Sequence, residues 1–168
     1  CYKLLTDDWY KANDKRGYGS EHLMLQLLDS EKIKNKIECE NGQVIDIDSI
    51  KVEIIRVANP EVTGSDNGNE ASMVFKFVDT NVNKSMLFLG DSFNKVSEEL
   101  LLQPEKLSSY AVQMAHHGQN GVTKEVYDAI NPSLCFFNCP EWLYNNDNGG
   151  GYNSGNWKTI TVREWMEE

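Results

Sequence analysis

The segments SMLFLGD at residues 85–91 and YAVQMAHHG at residues 110–118 decide the fold of this chain. Each begins as a short apolar run typical of a buried β-strand. Each ends in side chains that carry chemistry, Asp91 in the first and His116 and His117 in the second. Strand ends hold side chains rigidly, and carboxylate oxygen and neutral imidazole nitrogen suit zinc and related metals as ligands. The two segments therefore predict an Asp–His metal site on an α/β scaffold.

The sequence around these segments predicts an α/β (α+β) fold, a mixed β-sheet with flanking helices. Two β-hairpins come first, the earlier one with a tight turn at Asp48-Ser49, and strands then alternate with helices. The predicted elements are strands at 42–48, 50–57, 73–78, 85–89, 110–115 and 134–137, the last of a fully buried type, helices at 96–102, 123–130 and 159–166, and loops at 60–69 and 145–156.

The length of 168 residues corresponds to a single domain or a large part of one. We divide it into a helical lead-in at 1–39, a core at 40–140, and a Gly/Asn loop with a terminal helix at 141–168. Within the lead-in, residues 2–12 look loosely helical and Ser20 caps a predicted helix that runs to about Lys36. The chain starts with Cys1 and not with Met, so we expect a segment of a longer protein whose compartment the sequence does not indicate.

The composition limits the partners of the chain. Its net charge of −10 argues against an extended nucleic-acid surface, because phosphate contacts require a basic patch. A bound dication would reverse the sign locally, so a metal-mediated phosphate site stays compatible with this charge. No apolar run approaches the roughly 20 residues of a membrane span, and no signal-peptide pattern opens the chain.

The four cysteines fall at positions 1, 39, 135 and 139. Cys135 and Cys139 have a C-x3-C spacing, which is not that of a zinc ribbon, and no second pair follows. We expect ordinary thiols at these positions, with a disulfide or a metal role as the alternative.

The segment NEAS at residues 69–72, followed by a strand, by MLFLGD at 86–91 and by VQMAHHG at 112–118, resembles the second half of a metallo-β-lactamase-fold domain. The most similar branch contains the hydrolase-like domain of competence-type DNA-uptake proteins and the choline-phosphate esterases of cell-wall teichoic acid. The resemblance covers about residues 40–140 and implies the second half of an αββα sandwich.

The resemblance also implies roles for three residues. Asp91 corresponds to the carboxylate that bridges two metal ions, zinc or alternatively manganese, and His117 to a late histidine ligand. His116 corresponds to a residue that faces the substrate phosphate or supports the metal ligands. Which histidine ligates stays open, because neighbouring strand residues point to opposite faces. Asp91 could instead be the N-cap of the helix that follows, and the two histidines a loop pair bonded to the backbone.

The chain departs from the family in one respect: the signature H-x-H-x-D-H, which supplies most of the metal ligands, does not occur in it. His22 is the remaining histidine, and we expect it to be a solvated helix residue. Two or three ligands cannot hold a dinuclear site, so we expect metal to be absent or weakly bound in this chain.

Two hypotheses follow for the function. The first is the C-terminal portion of a metal-dependent hydrolase that acts on small-molecule or cell-wall phosphoesters in the intact parent and is inactive alone. The second is a degenerate, non-catalytic binding or structural module. A half-domain exposes a sheet edge and an apolar face, so we also expect self-association through an open edge.

The tail places Trp142, Tyr152 and Trp157 among Asn and Gly residues. These aromatic rings could form a lip over the site that attracts a quaternary ammonium group. The alternative is a surface loop whose tryptophans anchor its two ends to the core.

Overall fold

The computed structural model of the protein describes residues 34–57 and 67–167. A six-stranded sheet lies at its centre, and the strands follow one another across the sheet in chain order. They are β1 (Val44–Ile47), β2 (Ile50–Arg56), β3 (Val74–Asp79), β4 (Lys84–Phe88), β5 (Ala111–Gln113) and β6 (Leu134–Phe136). The first four strands pair antiparallel, whereas β4, β5 and β6 pair parallel.

Helices flank this sheet. They are α1 (Asn67–Glu70), α2 (Asn94–Leu100), α3 (Lys124–Ile130), α4 (Glu141–Tyr144) and α5 (Thr159–Glu167), with short 3-10 turns at Pro104–Lys106 and Ala115–Gly118. The predicted fold class, a mixed sheet with flanking helices, is thus confirmed. None of the helices within the described ranges is long and apolar enough to cross a membrane.

Both predicted hairpins are present. Ile47 pairs with Ile50, which leaves Asp48 and Ser49 as a two-residue turn. Asp48 has a φ of 52°, a left-handed conformation that Asp tolerates in hairpin turns. The second hairpin closes between Asp79 and Lys84 in the same antiparallel manner.

The parallel half of the sheet determines where the functional side chains lie. Helix α2 connects β4 to β5, and helix α3 connects β5 to β6. Because the three strands run in the same direction, their C-terminal ends meet at one edge of the sheet. Strand β3 runs the other way, so the residues that precede it lie at this edge as well.

One face of the sheet packs against the helices and forms the main core. Leu87 and Val112 are fully buried there, together with residues of α2, α3 and α5. Tyr127 of α3 is also buried, and its hydroxyl accepts a hydrogen bond of 3.2 Å from the N–H of Ala115. Burial raises the pKa of Tyr127, which therefore stays neutral. This contact fixes the backbone immediately before the two histidines.

The opposite face is aromatic and partly open. Phe75 and Phe88 pair across β3 and β4 with ring centroids 4.9 Å apart. Strand β6 contributes Leu134 and Phe136 to this face, and they are 47% and 49% exposed. The prediction that β6 is fully buried is therefore wrong: the strand lies at the end of the described sheet, and only Cys135 turns toward the helices.

Some predicted boundaries also differ. The helix expected to reach Lys36 does not include residues 34–36, which have no regular structure, and its earlier part lies outside the described residues. The same holds for residues 2–12, for His22 and for most of the loop expected at 60–69. Strand β5 ends at Gln113 instead of Ala115, because the chain turns sharply from Ala115 to Gly118.

The open aromatic face generates a prediction about association. Replacing Phe136 by Lys places a charge on the exposed apolar end of β6 and should shift a self-associated chain toward the monomer. Leu102→Lys is the control, because Leu102 is 81% exposed and lies outside the sheet. Light scattering measures both, and a monomeric unmodified chain at high concentration would contradict the prediction.

Candidate functional site

Three parallel strands deliver polar side chains to one edge of the sheet. Asp91 follows β4, the two histidines follow β5, and Asn138 follows β6. Asp91 Oδ1 lies 3.5 Å from His117 Nε2, and these two side chains are 42% and 41% exposed. The separation lies within the approximately 3–5 Å expected of two ligands that share a cation with bonds near 2 Å. Asp91 and His117 therefore form a solvent-accessible donor pair.

The backbone at the two histidines is strained. His116 and His117 have φ values of 48° and 62°, so two consecutive residues adopt the left-handed conformation, and Gly118 continues it with a φ of 78°. A left-handed non-glycine residue costs on the order of 1–3 kcal/mol and persists only where its surroundings hold it. Here the N–H of His116 donates to the carbonyl of Gly90 at 2.9 Å. The turn replaces the strand alternation that would send the imidazoles to opposite faces, and their ring centroids lie 6.3 Å apart.

The surroundings of His117 assign its tautomer. Its Nδ1 lies 3.0 Å from the carbonyl oxygen of Asn138 and 3.4 Å from the side-chain amide nitrogen of the same residue. The shorter contact is to an oxygen that can only accept, which favours the tautomer with the hydrogen on Nδ1. In the neutral ring, Nε2 then presents a lone pair toward Asp91. A lone pair at Nε2 would repel the carboxylate unless a cation lay between them, whereas a protonated imidazole would form an ion pair with Asp91. Their distance of 3.5 Å exceeds the usual N–H···O length of about 2.9 Å and approaches the edge of a zinc tetrahedron, about 3.3 Å for bonds near 2.05 Å.

His116 is held in the same manner but faces another neighbour. Its Nδ1 lies 3.2 Å from the carbonyl oxygen of Asn120, and its Nε2 lies 3.4 Å from the amide nitrogen of Asn69. The ring of Phe93 contacts it edge-on, with centroids 5.4 Å apart. The structure therefore places His117, and not His116, next to Asp91.

Asp91 is not a helix cap. Helix α2 begins at Asn94, and the N–H groups of Lys95 and Val96 donate to the buried carboxylate of Glu70, each at 3.1 Å. The alternative explanation of Asp91 as the N-cap is therefore wrong, because a residue distant in sequence occupies that role. The N–H of Asp91 itself donates to the hydroxyl of Ser72 at 3.0 Å, which fixes the start of this loop.

The donor set fits one edge of a metal site. Within residues 34–57 and 67–167, no group of three or more His, Cys, Asp or Glu side chains could hold a metal ion. Asp91 and His117 thus offer two donor side chains, fewer than the three protein ligands of a catalytic zinc site. Burial raises the pKa values of the free thiols Cys135 and Cys139, which disfavours the thiolate that binds metal.

Sequence reasoning missed three residues of this site. Asn69 and Gln113 lie in the segments 69–72 and 112–118 that carry the resemblance, but neither has a role there, and Asn138 is not singled out. Asn138 could have been found by the rule that identified Asp91, because it also follows a strand of the parallel set.

The tail forms an internally bonded loop. Asp147 accepts backbone N–H groups from Gly149 at 2.7 Å and Gly151 at 2.9 Å, and these bonds lower its pKa. Trp142 and Trp157 pack with ring centroids 5.1 Å apart and so join the two ends of the loop to each other. The lip over the site stays a prediction.

Comparison with protein-family models, with curated proteins and with solved structures finds no match to this chain. The resemblance to the metallo-β-lactamase fold therefore stays a prediction from the sequence motifs.

The histidine turn generates a stability prediction. A Cβ at Gly118 would overlap the ring of Phe137, and φ there is 78°. Gly118→Ala should lower the free energy of unfolding by about 2 kcal/mol or more, about 1 from the left-handed backbone and about 1 from overpacking. Gly68→Ala is the control, because nothing lies within 4 Å of its Cβ position and its φ is not positive. Urea unfolding measures both, and equal stabilities would contradict the described turn.

Proposed function

We propose that this chain is the C-terminal portion of a metal-dependent hydrolase of the metallo-β-lactamase superfamily, with phosphoesters as substrates. The proposal depends on one observation. Asp91 Oδ1 and His117 Nε2 face each other at 3.5 Å, and the carbonyl of Asn138 lies 3.0 Å from Nδ1, where it favours the tautomer whose Nε2 can bind a metal. Metal-binding histidines typically donate their second ring nitrogen to such a carbonyl.

We assign a separate role to each residue of the site. Asp91 and His117 would hold zinc, or alternatively manganese, as part of a dinuclear centre in the intact domain. Such a metal lowers the pKa of a bound water and neutralises a phosphoryl oxygen. His116 lies on the same turn, with its part-buried Nε2 3.4 Å from the amide nitrogen of Asn69, and we propose that this pair meets the substrate. The proposed role of His116 is at the substrate, because its Nε2 faces Asn69 and not Asp91.

A second candidate is a non-catalytic module that retains the sheet without the chemistry. The described part of the chain favours it in one respect, since it contains no group of three metal ligands. The sequence upstream of Cys1 in the parent distinguishes the two candidates. An H-x-H-x-D-H segment within about 150 residues supports the hydrolase, since that is the span of one domain, and its absence supports the module.

The first prediction concerns zinc. The chain should bind zinc weakly and lose it on dialysis. Asp91→Asn and His117→Ala should each weaken zinc binding at least tenfold, because one remaining ligand is too few to hold the ion. Asp128→Asn is the control, since this carboxylate is exposed and pairs with Lys124 on α3. Isothermal titration measures the affinities. Near-stoichiometric zinc after dialysis would instead show that further ligands exist.

The second prediction concerns hydrolysis. The chain alone should not cleave phosphodiester or phosphocholine esters of p-nitrophenol in the presence of zinc or manganese. In a parent that carries the H-x-H-x-D-H segment, Asp91→Ala should abolish turnover and metal retention together. His116→Ala should lower turnover with less effect on metal content than His117→Ala. Full activity of the Asp91→Ala parent would refute the hydrolase proposal.

A further inference from the structure

The side chain of Gln113 joins the segments that carry the Asp91–His117 pair. Its Oε1 accepts the N–H of Gly90 at 2.9 Å and that of Leu89 at 3.2 Å. Its Nε2 donates to the carbonyl of Met114 at 2.5 Å and to Oδ1 of Asn138 at 3.0 Å. These four bonds use both lone pairs and both hydrogens of the amide.

The position of Gln113 explains why one side chain can do this. It is the last residue of β5, the middle strand of the parallel set, and it lies between Phe88 of β4 and Phe136 of β6. Beyond Phe88 the ladder between β4 and β5 ends. The amide of Gln113 then takes up the next two N–H groups of the β4 segment, so the chain that leads into Asp91 stays attached to β5.

Both ends of this bridge adjoin the donor pair. Gly90 directly precedes Asp91, and the carbonyl of Asn138 receives the Nδ1–H of His117. We propose that Gln113 is a positioning residue that sets the separation and orientation of Asp91 and His117 through Gly90 and Asn138. The inference rests on the proposed function where it concerns metal binding, whereas the orientation of His117 can be measured without metal.

Two substitutions separate the arms of the bridge. Gln113→Met removes all four hydrogen bonds at similar volume. Gln113→Glu keeps the oxygen that accepts from the N–H groups of Gly90 and Leu89 but loses the N–H that donates to Asn138. Because this variant retains the contact with the β4 segment, it should fold even if Gln113→Met does not. Gln103→Met is the matched control, because the side chain of Gln103 bonds to that of Lys106 at the surface.

The measurement is long-range proton–nitrogen NMR on histidine-labelled chain, in which three histidines give a simple spectrum. The unmodified chain should show His117 with its hydrogen on Nδ1, and both Gln113 variants should show a mixture of tautomers. Zinc titration of the same samples should give an affinity at least tenfold lower for Gln113→Met, a loss typical of removing a residue that supports a metal ligand. The zinc affinity of Gln103→Met should be unchanged. A merely structural role would lower the melting temperature but leave the tautomer of the folded chain unchanged.

The results of these experiments distinguish a failure of the positioning role of Gln113 from a failure of the metal-binding proposal. A single Nδ1–H tautomer and unchanged zinc affinity in Gln113→Met would overturn the positioning role. If the unmodified chain binds no zinc at all, the metal-binding proposal fails, and the tautomer alone then decides: a mixture in the variants supports positioning by Gln113, and no change overturns it.

Discussion

The parallel pairing of β4, β5 and β6 is the constraint on which the rest of this structure depends. Parallel neighbours require crossover connections, and the two crossovers contain α2 and α3, whose apolar residues bury one face of the sheet. The same geometry gathers three strand C-termini at one edge, where the ladders end and the N–H groups of Leu89 and Gly90 need partners from outside them. Side chains take over that task, and the candidate site is built from them.

At this edge, hydrogen bonds stabilise a strained stretch of backbone. Two consecutive left-handed histidines carry a cost that the surrounding hydrogen bonds must offset. The N–H of His116 bonds to Gly90, and each imidazole bonds to a backbone carbonyl, that of Asn120 or of Asn138. A fold with no need for these side chains would place a relaxed turn here at lower free energy. The persistence of the strained turn is therefore an argument for a functional site.

The local features of the fold could be predicted from the sequence, and the non-local ones could not. The turn at Asp48-Ser49 follows from a few adjacent residues, as does the end of α3 before Pro132. The exposure of Phe136 depends on which sheet face the helices cover, and an apolar run carries no information about that. Asp91 was ambiguous for the same reason, because the helix that it could have capped is capped by Glu70, 26 residues before Val96.

The strand-end rule did not distinguish His117 from His116, but that one of the two histidines lies near Asp91 followed from it. The tautomer of His117 and the bridge through Gln113 did not, because they depend on side-chain distances of about 3 Å that no sequence period encodes. Sequence thus predicts which residues gather at an edge. The hydrogen bonds that orient them appear only in the structure.

A site with two ligands still has a definite thermodynamic role. The carbonyl of Asn138 holds the imidazole of His117 and the hydroxyl of Ser72 holds the backbone of Asp91, so this pair would lose less entropy on sharing a metal than two side chains on mobile loops. Ligands from another segment would then act as intramolecular partners at high effective concentration, and a weak half-site would become part of a tight one. In the proposed hydrolase, weak zinc binding by the chain alone would therefore be compatible with tight binding once the remaining ligands are present.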